Sequence, residues 1–212
     1  IVRDMSTGEE WRILSMTSAG MGQWANWSPS GRYVAFLVDI SEAGNDSCLV
    51  VADVENHSVD RLDVGWPTTQ GSNVSAWTSD NALLFPAANS GTIAGGTNVP
   101  EDRHRIAVHD VEKSVTANLR NFESISPVQR LDASLDGELV AFVIDTDIWI
   151  YDRLAEEAYQ LASSGNEVNM LKFSPDGSKL LFRAGNKLSI LDSDNGSIRT
   201  LFEEEDGWYG PN

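Results

Sequence analysis

The side chains that most often bind metals or act as catalytic bases are few in this chain and lie far apart. Its three histidines are His57, His104 and His109, and its one cysteine is Cys48. A structural zinc site takes four such ligands, usually as two closely spaced pairs, and these four residues are too dispersed to form two such pairs. We therefore expect no metal site among these residues, and we expect the histidines at the surface or at strand edges.

Nucleophilic catalysis also finds little support in the sequence. A hydrolase of the α/β type carries its serine in a Gly-x-Ser-x-Gly turn that joins a strand to a helix. The nearest run in this chain is Gly207-Trp208-Tyr209-Gly210, in which a tyrosine stands where the nucleophile is expected. We predict that the chain contains no catalytic residue, needs no cofactor and is not an enzyme.

Two acidic patterns leave alternatives open. Asp39, Glu42 and Asp46 fall in one predicted loop and could offer oxygen ligands to calcium, but they lack the spacing and terminal glutamate of an EF-hand. Enzymes that process glycosides use two carboxylates roughly 5 to 9.5 Å apart in a pocket. We expect a solvated loop in the first case, and we keep a converging pair of carboxylates only as an alternative.

The charge balance excludes some partners. With 32 acidic and 15 basic residues the formal net charge is −17, so the surface repels phosphate backbones and anionic lipid headgroups. The longest apolar runs, at residues 33–38 and 139–144, are far shorter than the roughly 20 residues of a membrane-spanning helix. We expect neither nucleic-acid binding nor membrane insertion.

An internal repeat organises the chain. Ser28, Thr78, Ser134 and Ser174 each begin a short turn that ends in Gly or Asn, and they are 50, 56 and 40 residues apart. Proline, aspartate and glycine in these turns suit the tight connection of a β-hairpin. Consecutive apolar residues follow each turn and predict interior strands that are covered on both faces. These runs are residues 33–38, 82–85, 139–144 and 179–182.

A third strand in every unit ends in aspartate, at Asp53, Asp110, Asp152 and Asp192. The carboxylate of such a residue can accept the backbone N–H groups of the turn that follows. A half-polar fourth strand comes after this turn. Repeated antiparallel units of four strands and about 40 residues are typical of a β-propeller, in which each blade buries its faces on its neighbours.

The turns resemble those of a known repeat family. Ser28-Pro29-Ser30-Gly31 and Ser174-Pro175-Asp176-Gly177, each followed by an apolar strand and then by a strand that ends in aspartate, look like the TolB-type propeller repeat. The resemblance implies a propeller fold and, in bacteria, an extracytoplasmic location, in the periplasm or at the cell surface. Similar repeats occur in prolyl-oligopeptidase-like and tricorn-type peptidases, so the resemblance specifies the fold better than the function.

We predict one all-β domain over residues 1–212, a propeller with four complete four-stranded blades and a partial blade shared by the two termini. An open arc of four blades would expose an apolar sheet face at each end. Closure within the chain, self-association and a missing remainder of a larger propeller all stay open as ways to cover these faces. The predicted segments are a partial blade at residues 1–14, blades at about residues 20–62, 70–119, 126–161 and 167–201, and the start of a closing strand at residues 207–212.

Three tryptophans are the candidate binding residues. Trp24, Trp66 and Trp208 lie in or beside the connections that lead from one predicted blade to the next, which open on one rim. Exposed aromatic side chains there could anchor a protein or carbohydrate ligand, and packing between blades is the alternative. We predict a non-catalytic scaffold for a protein partner. The alternatives are a substrate-docking accessory propeller of a peptidase whose catalytic domain is absent, and a carbohydrate-binding or glycoside-processing propeller.

Overall fold

The computed structural model describes residues 1–3, 5–13, 25–39, 47–63, 75–79, 81–88 and 104–204. Over these residues the chain forms eighteen β-strands and no helix, so the expected all-β class is confirmed. Accordingly, no helix in the described ranges is long and apolar enough to span a membrane. The first two strands, β1 (Val2–Arg3) and β2 (Glu10–Trp11), pair as a small antiparallel sheet.

The remaining strands form four sheets of four antiparallel strands, which we number blades 1 to 4. In every blade the strands are hydrogen-bonded in the order in which they occur in the sequence. Blade 1 contains β3 (Ala25–Trp27), β4 (Tyr33–Asp39), β5 (Ser47–Asp53) and β6 (Ser58–Asp63), and blade 2 contains β7 (Ala76–Ser79), β8 (Ala82–Ala88), β9 (His104–Asp110) and β10 (Val115–Asn118). Blade 3 contains β11 (Val128–Ala133), β12 (Leu139–Ile144), β13 (Asp147–Asp152) and β14 (Glu157–Ser163), and blade 4 contains β15 (Val168–Phe173), β16 (Lys179–Ala184), β17 (Lys187–Asp192) and β18 (Ile198–Glu203).

The first strand of each blade lies innermost, beside the first strands of its neighbours. Asn26 in β3 donates a hydrogen bond from Nδ2 to the carbonyl of Ser75, just before β7, at 2.5 Å. The Asp132 carboxylate in β11 accepts a hydrogen bond from the Phe173 backbone N–H in β15 at 2.7 Å. The fourth strands lie outermost, and every residue of β10 and β18 is exposed. This radial order confirms the propeller arrangement that the repeat predicts.

Three apolar cores hold the four blades together, one at each junction. Their central side chains are 3% exposed or less. Burial of one such side chain contributes roughly 1.5 to 3 kcal/mol relative to an exposed one, so the cores are the main attraction between blades. They include Leu49, Val51, Leu83 and Phe85 between blades 1 and 2, Leu84, Ile106, Leu131 and Phe142 between blades 2 and 3, and Val143, Ile150, Leu171 and Phe182 between blades 3 and 4.

The hydroxyl residue that begins each repeat holds the turn between the first and second strands. In blade 3 the Ser134 hydroxyl accepts the Leu139 backbone N–H at 2.9 Å and donates to the Asp136 carboxylate at 2.6 Å. Ser174 makes the equivalent bonds in blade 4, to Lys179 and Asp176. The side chains of the turn therefore supply its hydrogen bonds, which is the physical reason for serine and aspartate at these positions.

The aspartate that ends each third strand closes the next turn, as predicted. The carboxylate of Asp53 accepts the backbone N–H groups of Glu55 and Asn56, both at 3.0 Å. Asp110, Asp152 and Asp192 each accept the corresponding two N–H groups, which belong to the residues two and three positions further on. All four turns between third and fourth strands are thus built in the same way.

The outer face of blade 1 is covered. Val34 and Val50, which point away from blade 2, are only 3% and 1% exposed. Trp11 of β2 stacks on His57 of blade 1 with ring centroids 5.0 Å apart, so the small N-terminal sheet lies against this end of the arc. The predicted C-terminal share of the partial blade, residues 207–212, lies outside the described residues.

One prediction about interior strands is wrong for blade 4. The apolar run at residues 179–182 predicts a strand covered on both faces, and β12 of blade 3 is covered in this way over residues 140–143. In β16 the burial alternates instead, because Leu180 and Phe182 are buried whereas Leu181 is half-buried and Arg183 is exposed. The reason is that no described residue packs closely on the far side of blade 4.

Two glycines in equivalent turns test how closely blades 2 and 3 approach. Gly31 and Gly137 have positive φ values of 79° and 72°, but a Cβ at Gly137 would lie 2.4 Å from the Thr78 carbonyl oxygen, whereas one at Gly31 would meet no atom of the described residues within 4 Å. We expect Gly31→Ala to lower the free energy of unfolding by about 1 to 2 kcal/mol, the cost of left-handed backbone. Gly137→Ala should cost at least about 2 kcal/mol more, because two backbones must separate. Urea unfolding measures both losses, and equal losses would contradict a close contact at Thr78.

Candidate functional site

The propeller has two rims that differ in the connections they carry. The turns between first and second strands, and between third and fourth strands, open on one rim, which we call the turn rim. The connections from second to third strands, and from each blade to the next, open on the opposite rim, which we call the connection rim. In blade 4 the turn rim carries residues 174–178 and 193–197, and the connection rim carries residues 185–186.

The carboxylates of the turn rim are engaged in the fold. In blade 1 the Arg32 guanidinium contacts the Asp53 carboxylate at 2.8 Å, and the Asn56 side-chain amide donates to it at 2.9 Å. Burial alone would raise the pKa of Asp53, but the hydrogen bonds from Arg32, Asn56 and the Glu55 backbone outweigh it and lower the pKa to about 2. A group with this pKa is a poor general base near neutral pH, so its role is structural.

A cleft of about 300 Å³ opens between blades 1 and 2 at the turn rim. It is lined by Arg32, Tyr33, Val51, Asp53, Ser58, Asp60, Val111 and Glu112. The Arg32 guanidinium is the one cation among the described lining residues; it already contacts Asp53 and lies over the Tyr33 ring, 4.8 Å from the ring centroid. The cleft is therefore acidic overall, and its arginine is used to join strands of the same blade.

His109 lies at the same junction and corrects an expectation. The sequence predicts a surface or strand-edge histidine, but only 1% of His109 is exposed. Its Nδ1 lies 3.0 Å from the Thr116 hydroxyl, and its Nε2 has no partner among the described residues. Burial lowers its pKa, against the opposing influence of Asp60 and Asp110, which favours the neutral ring. The prediction failed because His109 lies two residues after the buried Ala107 in β9. Side chains two positions apart in a strand lie on the same face, and here that face points towards blade 1.

The inner strands carry a polar cluster with a single acid. Asp132 is the one acidic residue in the described strands β3, β7, β11 and β15, and Lys172 Nζ contacts its carboxylate at 2.7 Å. The buried Arg130 donates from Nε to the Val168 carbonyl at 3.1 Å. A glycoside-processing site would need a second carboxylate near Asp132, and these four strands do not supply one. The cluster instead joins blades 3 and 4 through charged hydrogen bonds.

The connection rim is asymmetric. Blades 3 and 4 join their second and third strands through residues 145–146 and 185–186, two residues each, as tight hairpins do. Blades 1 and 2 use residues 40–46 and 89–103 at the same place, which are seven and fifteen residues long. Because long connections on a rigid scaffold are the usual place for binding residues, the rim of blades 1 and 2 is the candidate functional site.

The composition of the connections that enter blades 1 and 2 differs from that of the whole chain. After Arg12, residues 14–24 of the first connection contain no charged side chain, and neither do residues 64–74 of the second, although the protein carries a net charge of −17. They contain Trp24 and Trp66 together with glycine, serine and threonine. Depletion of charge with enrichment of tryptophan is typical of the centre of protein interfaces, and small polar residues are typical of binding loops.

The predicted site residues fall outside the part of the chain that the structure describes. Trp24, Trp66 and Trp208 all lie outside the described ranges, and their binding role stays a prediction. Of the candidate calcium ligands, Glu42 and Asp46 also lie outside it. Over the described ranges, no group of three or more histidine, cysteine, aspartate or glutamate residues is arranged to hold a metal ion.

Sequence reasoning missed Ile125, which lies at the candidate site, and Arg130, which joins blades 3 and 4. Ile125, in the connection from blade 2 to blade 3, is 75% exposed on the connection rim. A single isoleucine between polar neighbours, Ser124 and Ser126, is the signal that could have found it. Arg130 lies at a bulge of β11 and has a φ of 46°. No other non-glycine residue inside a described strand has a positive φ. An apolar pattern carries no signal for a bulge, so Arg130 was not predictable.

Comparison with known proteins supports the fold. No protein-family model matches this sequence, and no curated protein matches it. Among solved structures, TolB from Acinetobacter baumannii gives a TM-score of 0.63 at 18% identity, over 93% of this chain and 47% of that one. A putative TolB from Agrobacterium tumefaciens gives 0.61 at 17% identity, over 87% of this chain and 67% of that one. An oligogalacturonate lyase in complex with manganese gives 0.56 at 13% identity, over 85% of this chain and 52% of that one.

These likenesses define the fold of the chain. The chain has the TolB-like β-propeller fold, as the turn motifs suggested. It spans about half the length of the A. baumannii TolB that it matches. At such low identity the similarity carries the fold alone, and one fold supports many activities, so the function must be argued from this chain's own residues.

The Asp53 carboxylate gives a test of the turn-rim network. Its pKa falls from the usual 3.8 to about 2 on folding, so the ionised group stabilises the fold fully above about pH 4 and loses this effect as the pH drops towards 2. We expect Asp53→Asn to lower the free energy of unfolding by about 2 kcal/mol at pH 7, with the difference from the unmodified protein shrinking below pH 4. Urea unfolding at pH 7, 5, 4 and 3 measures this trend.

Asp152→Asn is the matched control for Asp53→Asn. Asp152 accepts the backbone N–H groups of Leu154 and Ala155 in the equivalent turn, but no arginine contacts it among the described residues. Its substitution should therefore cost less at pH 7. Equal costs for the two variants would show that Arg32 contributes nothing measurable to blade 1.

Proposed function

We propose that this propeller is a non-catalytic scaffold that binds another protein through the connection rim of blades 1 and 2. The observation that carries the proposal is the length of the connections there, seven and fifteen residues, where blades 3 and 4 have two-residue turns. Short turns complete the same fold in blades 3 and 4, so the fold itself does not require the long connections of blades 1 and 2. Binding of another molecule would explain their length.

The rest of the molecule supports binding by providing fixed points for these connections. Three buried cores and the hydrogen-bonded turns of the opposite rim hold the ends of the strands in place. When the strand ends are fixed in advance, a partner that contacts several connections at once does not have to order the whole surface. A broad surface of this kind suits a protein partner better than a small molecule, which needs an enclosed pocket.

Trp24 and Trp66 are the proposed anchors, and Ile125 is a described apolar residue that is exposed on the connection rim. Tryptophan is one of the residue types that most often carry a large share of the binding energy at the centre of an interface. Trp208 remains a third candidate from the sequence. We further propose an extracytoplasmic location, which rests on the resemblance of the turns to TolB-type repeats.

A carbohydrate ligand is the second candidate. The likeness to a structure titled oligogalacturonate lyase favours it, although that likeness concerns the fold. Catalysis in the manner of a glycoside hydrolase is less well supported, because Asp132 is the one acid of the described inner strands and is engaged with Lys172.

A role as the docking propeller of a peptidase would use the same rim and differ only in the protein that it receives.

Substitutions on the two rims test the proposal. We expect Trp24→Ala combined with Trp66→Ala to reduce the amount of partner retained from a cell extract by about thirtyfold, the loss of a hot spot of roughly 2 kcal/mol. The control combines Leu135→Ala with Leu154→Ala on the turn rim, where these side chains are 71% and 75% exposed, and should retain the partner. Quantitative mass spectrometry of the retained proteins measures both.

Two outcomes would contradict the proposed site. Retention that is unaffected by the loss of both tryptophans excludes them as anchors, and retention that is lost equally in the control places the partner on the other rim. If the unmodified chain retains oligogalacturonate on a column and no protein specifically, the carbohydrate candidate replaces the protein one.

A further inference from the structure

His109 is a buried ionisable group at the junction between blades 1 and 2. Only 1% of the residue is exposed, and it lies on the face of β9 that points towards blade 1. Its Nδ1 is 3.0 Å from the Thr116 hydroxyl, whereas its Nε2 has no hydrogen-bond partner among the described residues. The neutral ring fits this place with one nitrogen bonded, and a proton added to Nε2 would meet no described acceptor.

The equivalent positions of blades 3 and 4 carry a different kind of side chain. Each is the residue before the aspartate that ends the third strand, namely His109 in blade 2, Tyr151 in blade 3 and Leu191 in blade 4. Tyr151 and Leu191 are buried in the cores of the other two junctions. The Tyr151 hydroxyl donates to the Arg120 carbonyl at 2.9 Å, and the Leu191 side chain has no polar atom. Of the three described junctions, that of blades 1 and 2 therefore holds at this position the side chain that titrates near neutral pH.

The charges that face His109 do not provide it with a buried partner. Asp60 in β6 pairs with Val51 of the shared core, so its side chain lies on the face of blade 1 that points towards blade 2. Asp60 is exposed to water, and the carboxylate of the neighbouring Asp110 is engaged by Lys113. The strands that flank β9, which are β8 and β10, carry no ionisable side chain. The other ionisable groups of this junction are Arg32, Tyr33, Asp53 and Glu112 around the cleft, and Arg105, paired with Glu123, at the far end of β9.

Protonation of His109 is therefore unfavourable while the two blades are in contact. A charged ring in this place would be held away from water with an unsatisfied N–H group. Burial lowers the pKa of His109 more than Asp60 and Asp110 raise it. When the blades separate, water solvates the ring and its pKa returns to about 6.5. The closed junction is thus favoured fully above about pH 6.5, and this advantage declines as the pH falls from 6.5 towards the lowered pKa.

We propose that proton uptake by His109 opens the junction of blades 1 and 2, so that this junction acts as an acid-sensitive switch. Opening separates the apolar core that includes Leu49 and Leu83, and it breaks the hydrogen bond from the Trp77 indole to the Asn26 carbonyl at 3.0 Å. Blades 2 to 4 remain joined by their own two cores. Opening also changes the spacing of the long connections of blades 1 and 2. That last consequence rests on the proposed function, whereas the opening itself does not.

A pair of matched thiol probes measures the opening of single junctions. Ala35 and Ala141 stand seven residues after Ser28 and Ser134, and both are 0% exposed in the core shared with the following blade. In the whole chain with Cys48→Ala, Ala35→Cys reports the junction of blades 1 and 2, and Ala141→Cys reports the junction of blades 3 and 4. Each thiol reacts with dithiodipyridine when its junction opens. The ratio of the two labelling rates cancels the pH dependence of the thiol and of the reagent.

We expect the rate for Ala35→Cys, divided by the rate for Ala141→Cys, to rise roughly three- to tenfold from pH 7.5 to pH 5.5. About tenfold is the limit set by an ordinary histidine pKa near 6.5. His109→Gln should abolish the rise, because its amide can still bond to the Thr116 hydroxyl but does not titrate. The control His104→Gln removes the half-buried histidine at the other end of the same strand and should leave the rise unchanged.

Each result decides the proposal. It is overturned if the ratio stays constant between these pH values, if His109→Gln keeps the rise, or if His104→Gln abolishes it. A ratio that falls at low pH also overturns it, since acid then tightens the junction through Asp60. Circular dichroism checks the fold of the variants, and His109→Leu, with the residue type of the equivalent position in blade 4, replaces His109→Gln if the latter does not fold. No partner enters this test, so the proposed function can fail without the switch.

Discussion

The burial of one blade's apolar face against the next is the interaction on which this molecule depends. A sheet of four short strands has little stability alone, because both of its faces meet water. In β12 successive residues serve two junctions at once: Val140 and Phe142 enter the core with blade 2, whereas Ala141 and Val143 enter the core with blade 4. All four side chains are 0% exposed, so this strand has no polar face to present to water.

Six of the 32 acidic residues of the chain have a structural role in its turns. The aspartates that end the third strands, together with Asp136 and Asp176 in the first turns, use their carboxylates to close turns on one rim. Hydrogen bonds from Ser174 and Ser178 lower the pKa of Asp176 to about 2, which keeps it ionised in this role. These carboxylates are not free to act as ligands, and this is one reason why the proposed function uses the opposite rim, where the connections of blades 1 and 2 are long.

The sequence predicts the repeating parts of this structure well and the unequal parts poorly. Turn motifs and strand-ending aspartates are local, because their bonds run to residues two to five positions away, and local chemistry can be read from a sequence. The burial of His109, the uncovered face of β16 and the bulge at Arg130 depend on which sheet packs where. For the candidate site, topology placed the long connections on one rim, but no periodicity indicates what Trp24, Trp66 and Trp208 contact.

The order in which the sheets meet has a consequence for how the protein unravels. Contacts between described strands of different blades join only neighbours along the chain, as in a stack of repeats. In such a stack each blade is stabilised only by the blades next to it. Local unfolding therefore begins in the blade that has the fewest neighbours. Among the described residues blade 4 has one such interface and blade 3 has two. Over this part of the chain, amide hydrogens of β16 and β17 should therefore exchange with solvent before those of β12 and β13.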